Sequence, residues 1–88
     1  MKYAILCHGP LFRLESWGNG LSYELTRLSD GYSVFIQGDD ASAFCGDRKN
    51  VERNFPGKSD DEVCAWLWDR HDYGSLAREP AAGAGDVI

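Results

Sequence analysis

Three cysteines, two histidines and two clusters of carboxylates are the residues of this chain whose types suit chemistry. Cys7, Cys45, Cys64 and His71 make up a nominal Cys₃His set. Zinc sites of that kind bring ligands together in close C-x₂₋₄-C pairs so that one turn pre-organises two of them, and no such pair exists here. A thiol–imidazole nucleophile, Cys45 or Cys64 with His8 or His71, would need an oxyanion donor and a pocket that no local signature announces. The bland reading of the thiols is that they are reduced and buried, with His71 near the end of a helix whose dipole favours its charge. Asp39-Asp40 and Asp60-Asp61-Glu62 invite a general acid/base reading, but both lie where helices are expected to begin, and acids are favoured there for capping alone. Glycines at 18, 20 and 46 do not run from a strand into a helix, so no phosphate loop is present. The sequence therefore points away from an enzyme and away from a bound metal or cofactor.

The elements that must position these residues follow from patterning. Eighty-eight residues, 43% of them hydrophobic, suit one domain with one modest core. Tyr3 to Cys7 places Tyr3, Ile5 and Cys7 on one side of an extended strand that Gly9-Pro10 ends. A loop carrying Trp17-Gly18-Asn19-Gly20 follows. Leu21 to Leu28 and Tyr32 to Gln37 then flank Asp30-Gly31, which predicts a two-residue type I′ hairpin with Leu25 opposite Ile36 and Arg27 opposite Val34. In that register Tyr23, Leu25, Val34 and Ile36 share one face, and Glu24, Thr26, Ser33 and Phe35 the other. Asp39-Asp40 is read as the N-cap of a helix from about Ala41 to Asn54, which Pro56-Gly57 stops and in which Arg48 and Glu52 are spaced to pair. Ser59-Asp60-Asp61-Glu62 is a capping box, and the second helix it opens runs to His71, with Tyr73-Gly74 as its stop. The expected fold is α+β: a small antiparallel sheet of about three strands followed by two helices packed on one face, in a domain spanning 1–79. Residues 80–88 read as a flexible tail. Its terminal Asp86-Val87-Ile88 is a weak match to a carboxyl-terminal peptide ligand.

Charge is unevenly spread. Of the formal net charge of −5, the segment from 60 to 79 holds −4, with six acids against Arg70 and Arg78. On a helical wheel with Asp61 at zero, Asp72 falls near ~20°, Asp69 near ~80° and Glu62 near ~100°, one acidic face. Val63, Cys64, Leu67 and His71 occupy the opposite arc, and Trp66 and Trp68 the two borders. Like charges so gathered repel one another, and the sequence offers few nearby cations to relieve them. Asp61, Glu62, Asp69 and Asp72, with border anchors Trp66 and Trp68 and a second acidic pair at Asp39 and Asp40, are thus the candidate partner-binding residues, and the partner they suit is a basic protein surface. The acidic balance argues against direct nucleic-acid binding, and the apolar runs are too short to span a bilayer. The odd cysteine count and the absence of a leader-like segment fit a soluble protein of the reducing cytoplasm, monomer or homodimer.

A short acidic chain with clustered carboxylates and no enzyme motif resembles the small inhibitors encoded by phages and mobile elements, notably anti-CRISPR proteins. The resemblance covers size, charge and format, and carries no functional residue over, because those proteins share no diagnostic motif. It implies an inhibitor that binds a CRISPR effector complex, either by DNA mimicry, with carboxylates against residues that normally receive phosphate, or by steric block. The basic stretch Arg48, Lys49, Arg53 and Lys58 makes a mixed-charge steric block as apt as mimicry. The alternatives are a small cysteine/histidine-dependent enzyme and an accessory subunit or homodimer.

Overall fold

Alternation of apolar and polar side chains builds the sheet. In the computed structural model, which describes residues 2–79, strands β1 (Tyr3–His8), β2 (Phe12–Trp17), β3 (Ser22–Arg27) and β4 (Ser33–Gln37) form one antiparallel sheet in chain order. Helices α1 (Asp39–Asn54) and α2 (Asp60–Asp69) follow, then a 3-10 helix over Tyr73–Leu76 and a bridge between Ser33 and Arg78. The α+β class, with antiparallel strands ahead of two helices, is the one the sequence predicts. The strand count differs: β2 occupies the stretch read as a loop. Phe12, Leu14 and Ser16 point inward and are buried, while Arg13, Glu15 and Trp17 point outward. A serine at the third inner position leaves only two apolar residues to carry the alternation. The tail expected over residues 80–88 lies outside the described residues.

Two registers also differ from expectation. Between Ile5 and Cys7 the β1–β2 pairing slips by one residue. This bulge turns Cys7 inward beside Leu14 while Tyr3 and Ile5 remain on the outer face, so the three do not share a side. In the β3–β4 hairpin Leu25 pairs with Val34 and Tyr23 with Ile36, two residues away from the predicted pairing. A type I′ turn needs positive φ at both central residues, but only Gly31 has it (φ 77°). Asp30 instead accepts the Tyr32 N–H at 3.2 Å and holds Arg27 in a 2.6 Å ion pair, widening the loop. A shift of two preserves parity, so Tyr23, Leu25, Val34 and Ile36 still share the buried face.

Gly38 (φ 64°), not an aspartate, stands at the N-cap of α1, and Asp39 and Asp40 occupy its first turn. The helix ends at Asn54 before Pro56-Gly57, and Arg48 pairs with Glu52 at 3.6 Å. The capping box of α2 is formed: the Glu62 N–H donates to Ser59 Oγ at 3.2 Å and the Ser59 N–H to Glu62 Oε1 at 2.9 Å. This helix stops at Asp69 rather than His71, and Asp72, at φ 64°, turns the chain into the 3-10 helix. The inner sheet residues join Ala41, Phe44 and Val51 of α1 and Val63, Cys64, Leu67 and Trp68 of α2 in one core. Leu14, Leu25, Phe44 and Leu67 are fully buried, each worth roughly 1.5–3 kcal/mol. No helix among the described residues is long and apolar enough to cross a membrane.

Candidate protein-interaction surfaces

The first turn of α2 abuts the β1–β2 turn, and that contact decides where its acids go. Asp61 is buried: its Oδ1 accepts the backbone N–H groups of Phe12 at 2.8 Å and Leu11 at 3.1 Å. Gly9 makes the approach possible, since a Cβ there would lie 2.7 Å from Asp61 Cβ. Asp61 therefore leaves the exposed face that the helical wheel assigns to it. Glu62 is exposed but engaged in the capping box, where the Ser59 backbone N–H holds its carboxyl below the ordinary range. Asp69 is exposed on the last turn of α2. Asp72 is exposed too, but it sits past the helix end in a left-handed conformation, so it does not continue the helical face. Asp39 and Asp40 are exposed on the first turn of α1. Asp40 lines a groove of about 390 Å³ with Val34, Ile36, Ala43, Tyr73 and Arg78, which brings it to the end of the molecule that carries the Asp72 turn. None of these six acids is in an ion pair among the described residues.

The two tryptophans of α2 part company. Trp68 is a core residue, not a border one: it packs on Phe12 (5.5 Å between ring centroids), lies under the Arg27 guanidinium at 5.0 Å, and is covered by the backbone of Gly74. Arg27 falls on the inner side of β3, so its apolar stem extends the core while its head reaches Asp30. Trp66 is half-buried, stacked near Phe55 at 4.9 Å, with Lys58 Nζ and the Arg70 guanidinium each 4.9 Å from its ring. The Phe55–Lys58 turn, closed by the Lys58 N–H donating to the Phe55 carbonyl at 3.0 Å, brings that lysine back to the helix. Cations are thus nearer to the acids than the linear sequence suggests, and Trp66 sits in a shallow mixed-charge depression with Glu62, Asp69, Lys58 and Arg70.

The thiols and imidazoles are dispersed. Cys7 and Cys64 are buried, and desolvation pushes both thiols up, Cys64 the further, which keeps them protonated and weakly nucleophilic at neutral pH. Cys45 is half-buried on α1 next to Tyr23, whose hydroxyl is raised by burial and by that neighbour. His8 is exposed at the end of β1. His71 does not reach the core; its Nδ1 lies 3.7 Å from Asp47 Oδ2, which also accepts the Tyr73 hydroxyl at 2.7 Å. Burial first, then Asp47, raises the Tyr73 hydroxyl. Among the described residues no group of three or more His, Cys, Asp or Glu side chains is placed to hold a metal ion.

A second surface escaped the sequence reasoning. On the face of the sheet away from the helices, Tyr3, Ile5 and Phe35 are each about half exposed, at 49%, 53% and 54%. Trp17 joins them, its ring 5.3 Å from Tyr3 and 6.0 Å from Phe35. The available signal was Phe35 itself, an aromatic assigned to a face otherwise made of Glu24, Thr26 and Ser33. No family model, curated protein or solved structure shows significant similarity to this chain.

Proposed function

We propose that this chain is a non-catalytic protein-binding inhibitor of the anti-CRISPR type, docking exposed carboxylates on basic residues of a CRISPR effector complex subunit. The observation that carries the docking reading is that Asp39, Asp40, Asp69 and Asp72 are all exposed and all without an ion-pair partner among the described residues, in a chain of net charge −5. A cationic partner relieves that repulsion and is steered toward it. The half-buried Trp66 beside Asp69 supplies an amphipathic anchor of the kind interfaces favour. Burial of Cys7 and Cys64 as protonated thiols supports the non-catalytic part. The effector complex as target rests on the resemblance in size, charge and format. Lys58 and Arg70, set among the acids of α2, favour a mixed-charge steric block over phosphate mimicry.

The test is binding of the purified chain to a purified effector complex across a salt series, with Asp69→Lys and Asp72→Lys variants whose fold is checked by circular dichroism. Affinity should fall roughly tenfold or more in the double variant and fall with salt for the native chain. Unchanged affinity at low salt in a folded double variant overturns the docking reading. Loss of binding when the effector's phosphate-contacting lysines and arginines are neutralised would mark mimicry, and binding that survives their neutralisation would mark steric block.

A further inference from the structure

The helix-free face of the sheet has its own charge pattern. Glu15 and Glu24 stand directly opposite each other on β2 and β3, an arrangement that costs stability. Glu15 is satisfied: it accepts Arg13 Nε at 3.1 Å and the Tyr3 hydroxyl. Glu24 has neither a hydrogen-bonded nor an ion-paired side chain opposite it among the described residues, and its other cross-strand neighbour is Phe35. A carboxylate lacking a counter-ion thus lies between a like charge and an exposed ring, next to the Tyr3–Trp17–Phe35 band.

We propose that this face is a docking site for an arginine-bearing segment of a partner protein, its guanidinium stacking on Trp17 and Phe35 while its N–H groups pair with Glu24. Arginine fits because one planar group both covers an aromatic face and donates a fork of hydrogen bonds to a carboxylate, which a lysine ammonium does less well. Nucleic acid is repelled by the two glutamates. A second copy of the chain would bring the same glutamates and a net charge of −5 against them, while the face's own cation, Arg13, is already bound to Glu15. The proposal uses none of the carboxylates of α2 and needs no CRISPR target, so it stands or falls separately from the reading above.

The probe is an acetylated, amidated Gly-Arg-Gly-Arg-Gly peptide, with the same peptide carrying citrulline as an uncharged isostere. Each is titrated into the ¹⁵N-labelled full chain, following the Trp17 indole N–H and the Glu24 and Phe35 amides. The arginine peptide should shift these signals saturably and the citrulline peptide should not. Glu24→Gln or Phe35→Ala, both at solvent-facing positions, should weaken binding at least about threefold, whereas Asp60→Asn, an equal change in charge elsewhere, should not. The proposal is overturned if no saturable shift occurs, if the shifts fall on α2 instead, or if Glu24→Gln binds as well as the native chain. It is also overturned if the free chain sediments as a dimer that Phe35→Glu dissociates, which would make a second copy the occupant.

Discussion

Asp61 shows how one side chain can change roles between a helical wheel and a folded molecule. At the second position of a capped helix it reads as an exposed acid, because the wheel contains no information about what packs against the helix end. The β1–β2 turn lies there, and its two N–H groups, which have no ladder partner, are satisfied by a single carboxylate oxygen. Removing the acceptor leaves two donors unsatisfied in a seam of the core, so Asp61→Ala should cost roughly 2–3 kcal/mol in urea unfolding. Asp61→Asn, whose amide oxygen can still accept, should cost clearly less; equal losses would mean that the charge rather than the hydrogen bonds matters. The same reasoning rules out Asp61 as a site for charge-reversal tests of binding, since a lysine there would weaken the fold before it reached any partner.

At the level of elements, what the sequence made legible is what local chemistry decides. The Ser59–Glu62 box, the Pro56-Gly57 stop, the Arg48–Glu52 pair and the facing of Tyr23, Leu25, Val34 and Ile36 each depend on residues a few positions apart. What stayed hidden depends on distant neighbours. Ser16 completes the inner row of β2 only because Tyr23 lies opposite it, and Phe35 is exposed only because both helices cover the other face. The acidic cluster was legible as composition but not as a surface: one of the four acids assigned to α2's face was withdrawn into a seam, and the lysine that borders it arrives through a turn. The box also makes a pH prediction. Because the Glu62 carboxyl is held below its ordinary value of 4.5, its contribution is complete above that pH and is lost as pH falls through the lower folded value. Thermal midpoints followed down to about pH 3 should fall less steeply for Glu62→Gln than for the native chain; parallel slopes would remove the box from the acid response.

The whole molecule is lopsided in both packing and charge. Among the described residues, one face of the sheet is roofed by helices and the other is uncovered, while net negative charge accumulates with few of the exposed acids paired. Self-repulsion should therefore outweigh the ion pairs between Arg13 and Glu15, Arg27 and Asp30, and Arg48 and Glu52, which are partly exposed and individually weak. Raising sodium chloride from about 20 to 500 mM should lift the thermal midpoint by a few degrees, because screening weakens the repulsion. A fall in the midpoint would show that the pairs dominate.

Spatial order in the sheet is chain order, and this has a bearing on how the molecule comes into being. Each strand needs only its immediate predecessor, so the ribbon can zip from one hairpin to the next with short loops to close and low contact order. The long closure comes at the end, when Asp61 must find the Phe12 amide 49 positions back along the chain. A nascent polypeptide would hold a finished ribbon for roughly 2–6 s before the second helix arrives at ordinary elongation rates, and although α1 can settle on β4 meanwhile, Leu14 of β2, the strand on which α2 packs, still waits for its cover. During that interval the apolar side awaiting its helical roof is accessible to a chaperone along with the aromatic side, and only the former is withdrawn when the helices close.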